Sequence, residues 1–116
     1  MTEEFLMRLD DGMLAYFRDM ADEMVNRFGI SRAEAVARIN ARYGDCDIEP
    51  YPDLMCHEQP SYWAYGAYYV PDAAGRLPCG DEAHDRRIDV SSLVVRPVPA
   101  PGSPAWTLAE RARGRT

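Results

Sequence analysis

Phe28-Gly29-Ile30-Ser31-Arg32-Ala33-Glu34 is the stretch that decides the fold. A glycine directly after an apolar-periodic run closes a helix, because it reaches the left-handed conformation without a Cβ clash. Ser31 and Glu34 then form a Ser-x-x-Glu capping box, in which serine hydroxyl and glutamate side chain satisfy free backbone N–H groups at a helix start. Only Ile30 separates the two signals, so Met13 to Gly44 reads as a helix, a tight turn and a second helix.

Upstream of the turn, Leu6, Leu9, Met13, Phe17, Met20, Met24 and Phe28 recur every three or four residues. That spacing predicts one apolar stripe along a helix from Glu3 to Phe28. Glu3 and Glu4 suit the positive end of its dipole, and Asp10-Asp11-Gly12 marks the place where it would kink. A stripe of Met and Phe could form a plastic binding groove, but at helical spacing it reads as core. In the second helix Val36, Ile39 and Tyr43 are expected inward, Arg32, Arg38 and Arg42 outward, and Gly44 ends it.

Beyond the hairpin, His57-Glu-Gln-Pro-Ser-Tyr-Trp-Ala-Tyr-Gly-Ala-Tyr-Tyr-Val70 holds five of the twelve aromatic residues. Pro60 is tolerated in a first helical turn, and no breaker follows until Pro71, so a third helix is predicted. Tyr62, Tyr65 and Tyr69 share one face and are expected to close the core against the hairpin. Trp63 and Tyr68 lie on other faces, where aromatic side chains dominate partner contacts, with His57 and Glu58 in the turn that precedes the helix. Before this helix, Asp53 is expected to cap a short helical turn over Leu54, Met55 and Cys56.

The remainder reads as less regular. Val70 to Asp81 has two prolines and two glycines in twelve residues and is expected as a loop. Ile88 to Val95 suits a short strand, and Arg96-Pro-Val-Pro-Ala-Pro-Gly-Ser-Pro104 an extended linker. Ala105 to Arg113 is expected to form a last short helix carrying Trp106 and Leu108. The expected fold is therefore mainly α: an N-terminal helical hairpin, an aromatic third helix, and an irregular C-terminal half with at most a short strand. Residues 1–95 would make one helical domain, and 96–116 a proline-rich linker with a short helix or tail.

Composition narrows the function. A chain of 116 residues is one domain's worth. Its net charge of −6 argues against binding along a phosphate backbone. The charge is uneven: residues 1–58 carry 13 acidic and 6 basic side chains (−7), which leaves +1 for 59–116. All 13 basic residues are arginine, which fits a GC-rich bacterial genome and excludes chemistry that needs a lysine. No apolar run approaches the roughly 18 residues of a membrane span, and no signal peptide is recognisable at the N-terminus. Three cysteines suit a reducing cytoplasm better than a disulfide framework.

Few motifs carry chemistry. A DNA-binding helix-turn-helix needs an apolar residue about nine positions after its turn glycine. That position is Arg38, and only Arg32, Arg38 and Arg42 speak for a nucleic-acid-binding regulator. Cys46, Cys56, Cys79 and His84 have ligand chemistry for zinc, but there is no Cys-x2-Cys pair, so no metal or other cofactor is expected. His57-Glu58 lacks the second histidine of a zinc peptidase motif, because position 61 is Ser61. Asp81-Glu-Ala-His84 spells a helicase box without the phosphate-binding lysine it requires. Asp45, Asp47 and Glu49 read as solvated loop carboxylates rather than a cation site.

Gly29-Ile-Ser-Arg-Ala-Glu-Ala-Val-Ala-Arg-Ile-Asn40 followed by His57-Glu-Gln-Pro-Ser-Tyr-Trp-Ala64 resembles a group of small bacterial proteins that includes toxin-immunity proteins. The resemblance implies a cytoplasmic, non-catalytic module that binds and blocks another protein, and it carries over no catalytic residue. The expected contact residues are Trp63, Tyr68, His57 and Glu58.

Overall fold

The computed structural model describes residues 4–108. Helices α1 (Asp11–Phe28) and α2 (Arg32–Tyr43) form the hairpin, and α3 (Pro60–Tyr68) packs against both. The turn is built as its chemistry requires. Gly29 takes a left-handed conformation with φ 68°, and its N–H donates to the Val25 carbonyl. The Ser31 hydroxyl accepts the Glu34 N–H at 3.0 Å. No described helix is long and apolar enough to cross a membrane.

α1 starts later than its stripe suggested. Asp10 is the N-cap, accepting the Met13 N–H at 2.9 Å, so Asp10-Asp11-Gly12 begins the helix and does not kink it. Residues 4–9 are non-helical, and this changes which side chains turn inward. Phe5 and Met7 are buried in the core, while Leu6, part of the expected stripe, is exposed. From Met13 onward the stripe holds: Met13, Phe17, Met20 and Met24 have no exposed surface. Each such burial contributes roughly 1.5–3 kcal/mol.

α2 is enclosed on most of its circumference, with Ala33, Ala35, Val36, Ala37, Ile39 and Tyr43 buried. Arg38 was expected to face outward, yet it is buried. Its Nε donates to Glu34 Oε2 at 2.8 Å and its Nη1 to the Arg96 carbonyl at 2.7 Å. The guanidinium also lies 4.8 Å from the Tyr68 ring centre. Two residues further on, buried Asn40 accepts the Leu6 N–H at 2.9 Å and donates to the Glu4 and Ala105 carbonyls, both at 3.0 Å.

The face that α3 buries also differs from expectation. Ala64, Gly66 and Ala67 are its buried residues, while Tyr62 is exposed and Tyr65 and Tyr69 are half-buried. Small side chains let the helix backbones approach, and the tyrosine rings settle at the margins. There Phe28 stacks on Tyr68 at 4.0 Å and meets Tyr65 and Tyr69 edge-on.

After α3 the chain is held by side chains more than by regular structure. The expected strand at 88–95 is instead a 3-10 turn, Val90–Ser92, whose Ser91 N–H is capped by Asp89, and a single antiparallel bridge between Tyr69 and Val95. A four-residue helix α4 (Glu82–Asp85) follows directly after the expected loop of residues 70–81. The proline-rich stretch is no free linker. Arg96 donates to the Gly66 carbonyl at 2.9 Å, Ala105 is buried, the Thr107 hydroxyl meets the Glu4 carbonyl, and Leu108 packs on the core. Of the expected last helix, 105–108 are not helical, and 109–113 lie outside the described residues.

Asn40 thus ties both non-helical ends to the buried helix. Asn40→Leu keeps the branching of the side chain but leaves the Leu6 N–H and the Ala105 carbonyl unpaired, while the Glu4 carbonyl keeps only the Thr107 hydroxyl. It is expected to cost about 2–4 kcal/mol, read from the urea unfolding midpoint. An unchanged midpoint would show that the ends are not held there.

Candidate functional site

Residues 45–59 form the most unusual surface of the molecule. They include Asp45, Asp47, Glu49, Asp53 and Glu58 and no arginine. Within this loop Leu54 is 78% exposed and Tyr51 57%, while His57 and Glu58 are also exposed. Leaving large apolar side chains in water is unfavourable, and a slack loop would fold them back.

The loop is not slack, because the helices beneath satisfy its backbone. Asp53, buried, accepts the Glu49 and Met55 N–H groups, each at 2.8 Å, and thereby caps the 3-10 turn Leu54–His57. Asp10 caps α1 with one oxygen and accepts the Tyr51 N–H at 2.9 Å with the other. These N–H bonds, Met13's first, hold its carboxyl below the usual carboxylate range. Gly12 lets Tyr51 lie close, since a Cβ there would sit 2.5 Å from the Tyr51 Cβ.

From the core side, the Tyr16 hydroxyl lies 2.8 Å from the Met55 carbonyl and 2.7 Å from that of Glu58. With one proton it serves the two acceptors in turn. Burial, and next the nearby Cys56, push this phenol well above its ordinary range. The Trp63 indole N–H also donates to the Met55 carbonyl, at 3.0 Å.

The four expected contact residues therefore divide. His57 and Glu58 belong to the exposed loop. Trp63 is half-buried, its N–H spent on Met55 and its ring edge-on to Tyr43 and Tyr62. Tyr68 lies between Phe28 and Arg38, roughly 7–8 Å further along the helix axis from Trp63 at 1.5 Å per residue. Leu54 and Tyr51 carry no periodic signal and were missed. Strong exposure of an apolar residue appears only once the turn capped by Asp53 is in place.

The arginines expected on one face are likewise dispersed. Arg32 pairs with Asp22 at 2.9 Å and Glu4 at 3.5 Å, Arg38 is buried against Glu34, and only Arg42 forms no ion pair among the described residues. Of the four residues with zinc-ligand chemistry, Cys46 is exposed and the Cys56 Sγ lies 3.7 Å from the Met13 sulfur. Burial, then the Asp53 charge, push the Cys56 thiol up. Cys79 and His84 do come together, joined by Asp85.

They stand at a cleft of about 380 Å³, lined by Arg42, Tyr43, Tyr62, Trp63, Cys79 and His84 among others. Tyr43 forms part of the wall, its hydroxyl donating to the Trp63 carbonyl at 3.0 Å. Burial pushes this phenol up to about 12, against the lowering charges of Arg42 and Arg96. Comparison with family models, with curated proteins and with solved structures yields no match to this chain.

Tyr16 and Tyr43 set an alkaline limit. Each folded-state pKa lies above the unfolded value of about 10. Their contribution is complete below about pH 10 and is lost as pH rises through the folded value, since the unfolded chain ionises first. For Tyr43 the loss is about 2–3 kcal/mol between roughly pH 10 and 12. Urea midpoints should fall across that window, and less steeply in Tyr43→Phe. Parallel pH profiles would contradict the assignment.

Proposed function

We propose that this chain is a non-catalytic protein-binding module of the immunity type, which blocks a cationic partner through the 45–59 loop. The observation that carries this reading is the exposure of Leu54 and Tyr51 on a loop whose backbone is pinned from below. A contact surface already held in its binding geometry gives up little conformational entropy when it docks. Burying Leu54 under a partner recovers roughly 2 kcal/mol of apolar transfer energy. The same loop carries the exposed carboxylates Asp45, Asp47, Glu49 and Glu58, which would select and steer a basic surface. His57 and Glu58 keep the contact role assigned to them, whereas Trp63 supports the loop through its bond to Met55 and Tyr68 packs elsewhere, between Phe28 and Arg38.

The partner in this reading is a cationic toxin encoded next to the chain, and the test is direct. Isothermal titration of the purified pair should show tight binding that weakens as salt rises. Leu54→Asp should weaken it at least tenfold while leaving the thermal melt unchanged, because the side chain lies mostly in water. Equal affinity for Leu54→Asp and the unmutated chain would move the contact elsewhere. Absence of binding by any cationic product of the neighbouring genes would remove the immunity reading altogether.

A further inference from the structure

We propose that Cys79, His84 and Asp85 form a binding site for a divalent zinc-type metal ion at the edge of the cleft. One ligand atom from each of the three lies within 4.8 Å of the others, so that small side-chain rotations would bring them to the roughly 3.3–3.8 Å spacing of ligands about a tetrahedral ion. Thiolate, imidazole and carboxylate together favour zinc and its neighbours over magnesium or calcium, which take oxygen ligands.

The local chain presets this arrangement. Gly80, with φ 98°, reverses the backbone between Cys79 and α4. Asp85 holds that turn, its two oxygens accepting the Cys79 N–H at 2.9 Å and the Gly80 N–H at 3.0 Å. Each oxygen keeps a second lone pair for a metal.

His84 is oriented independently of the other two. Its Nε2 lies 3.0 Å from the Leu77 carbonyl, which can only accept, so Nε2 carries the proton. The neutral ring then offers the Nδ1 lone pair, as in metal-ligating histidines, whose other ring N–H donates to a carbonyl or carboxylate. Three protein ligands leave a fourth position of the tetrahedron for water or an anion. Cys79 and His84 both line the cleft, and so does Arg42, whose guanidinium would face an anion bound there.

Binding displaces the Cys79 thiol proton to solvent, so affinity rises with pH. Asp85 has a second role in the turn, and Asp85→Asn would confuse folding with ligation. The informative variants are therefore Cys79→Ser and His84→Gln.

The experiment is a titration of the reduced, tag-free full chain with Co²⁺, followed by displacement with Zn²⁺. The expected result is one ion per chain, with a near-ultraviolet sulfur-to-cobalt band and visible bands of tetrahedral intensity, both abolished by zinc. Cys79→Ser should remove the sulfur band, and His84→Gln should weaken binding at least tenfold. Cys46→Ser and Cys56→Ser should leave both intact. The proposal is overturned if the unmutated chain takes up no stoichiometric metal. It is equally overturned if the sulfur band survives Cys79→Ser or disappears with Cys46→Ser. Should Cys79→Ser lose its helical circular dichroism, unchanged cobalt affinity in His84→Gln still overturns it.

Discussion

Two polar side chains on one buried helix, Arg38 and Asn40, hold the molecule together in a way the apolar core does not. α1, α2 and α3 can bury their faces against each other with Met, Phe, Ala and Ile alone. The segments before α1 and after the Tyr69–Val95 bridge have no ladder of their own. Their backbone groups need partners wherever they leave water. Asn40 satisfies Leu6, Glu4 and Ala105, and Arg38 satisfies Arg96. A leucine at 40 would add apolar contact and lose bonds to both ends, and a leucine at 38 would lose the bond to Arg96. The buried Arg38–Glu34 pair is tolerable because the guanidinium also has a carbonyl and the Tyr68 face.

The same device recurs at the candidate contact surface. Asp10, Tyr16, Asp53 and Trp63 direct polar atoms into the 45–59 loop, and every one of those bonds ends on loop backbone. The side chains of Leu54 and Tyr51 take no part in these bonds and remain in water. Tyr16 links the two levels. Its ring belongs to the core cluster beside Phe17, and its hydroxyl sets the height of the loop. A core substitution at this position would therefore be felt at the surface.

The hairpin was readable because its signals are local: a left-handed glycine, a capping serine and a 3.6-residue period act within a few residues of one another. The third helix was readable for the same reason, through Pro60. What failed was inference over longer range. The helical phase of Leu6 and Leu9 fitted the stripe, yet Asp10 competes for the Met13 N–H and starts the helix there, which inverts Phe5, Leu6 and Met7. Arg38 looked exposed because its type usually is. Its burial depends on Arg96, 58 residues away, and no periodicity reports that. Prolines at 97–104 suggested a linker for a similar reason, since their docking rests on Asn40 and Thr107. The Cys79–His84 pair was visible as a spacing without meaning until Asp85 closed the turn.

Net charge acquires a location in this structure. Glu4, Asp22, Glu23, Glu34, Asp72 and Glu82 each face an arginine within 3.5 Å. Most of these pairs are exposed and contribute little to stability, but they cancel the field of the helical body. Asp45, Asp47, Glu49 and Glu58 form no ion pair among the described residues, and the loop that carries them has no arginine. Part of the acidic excess of the chain is therefore carried, uncompensated, by the same loop from which Leu54 and Tyr51 stand out. An apolar tip alone would invite indiscriminate association. In the proposed contact, uncompensated carboxylates on the same loop would disfavour acidic surfaces and favour a partner that brings the opposite charge.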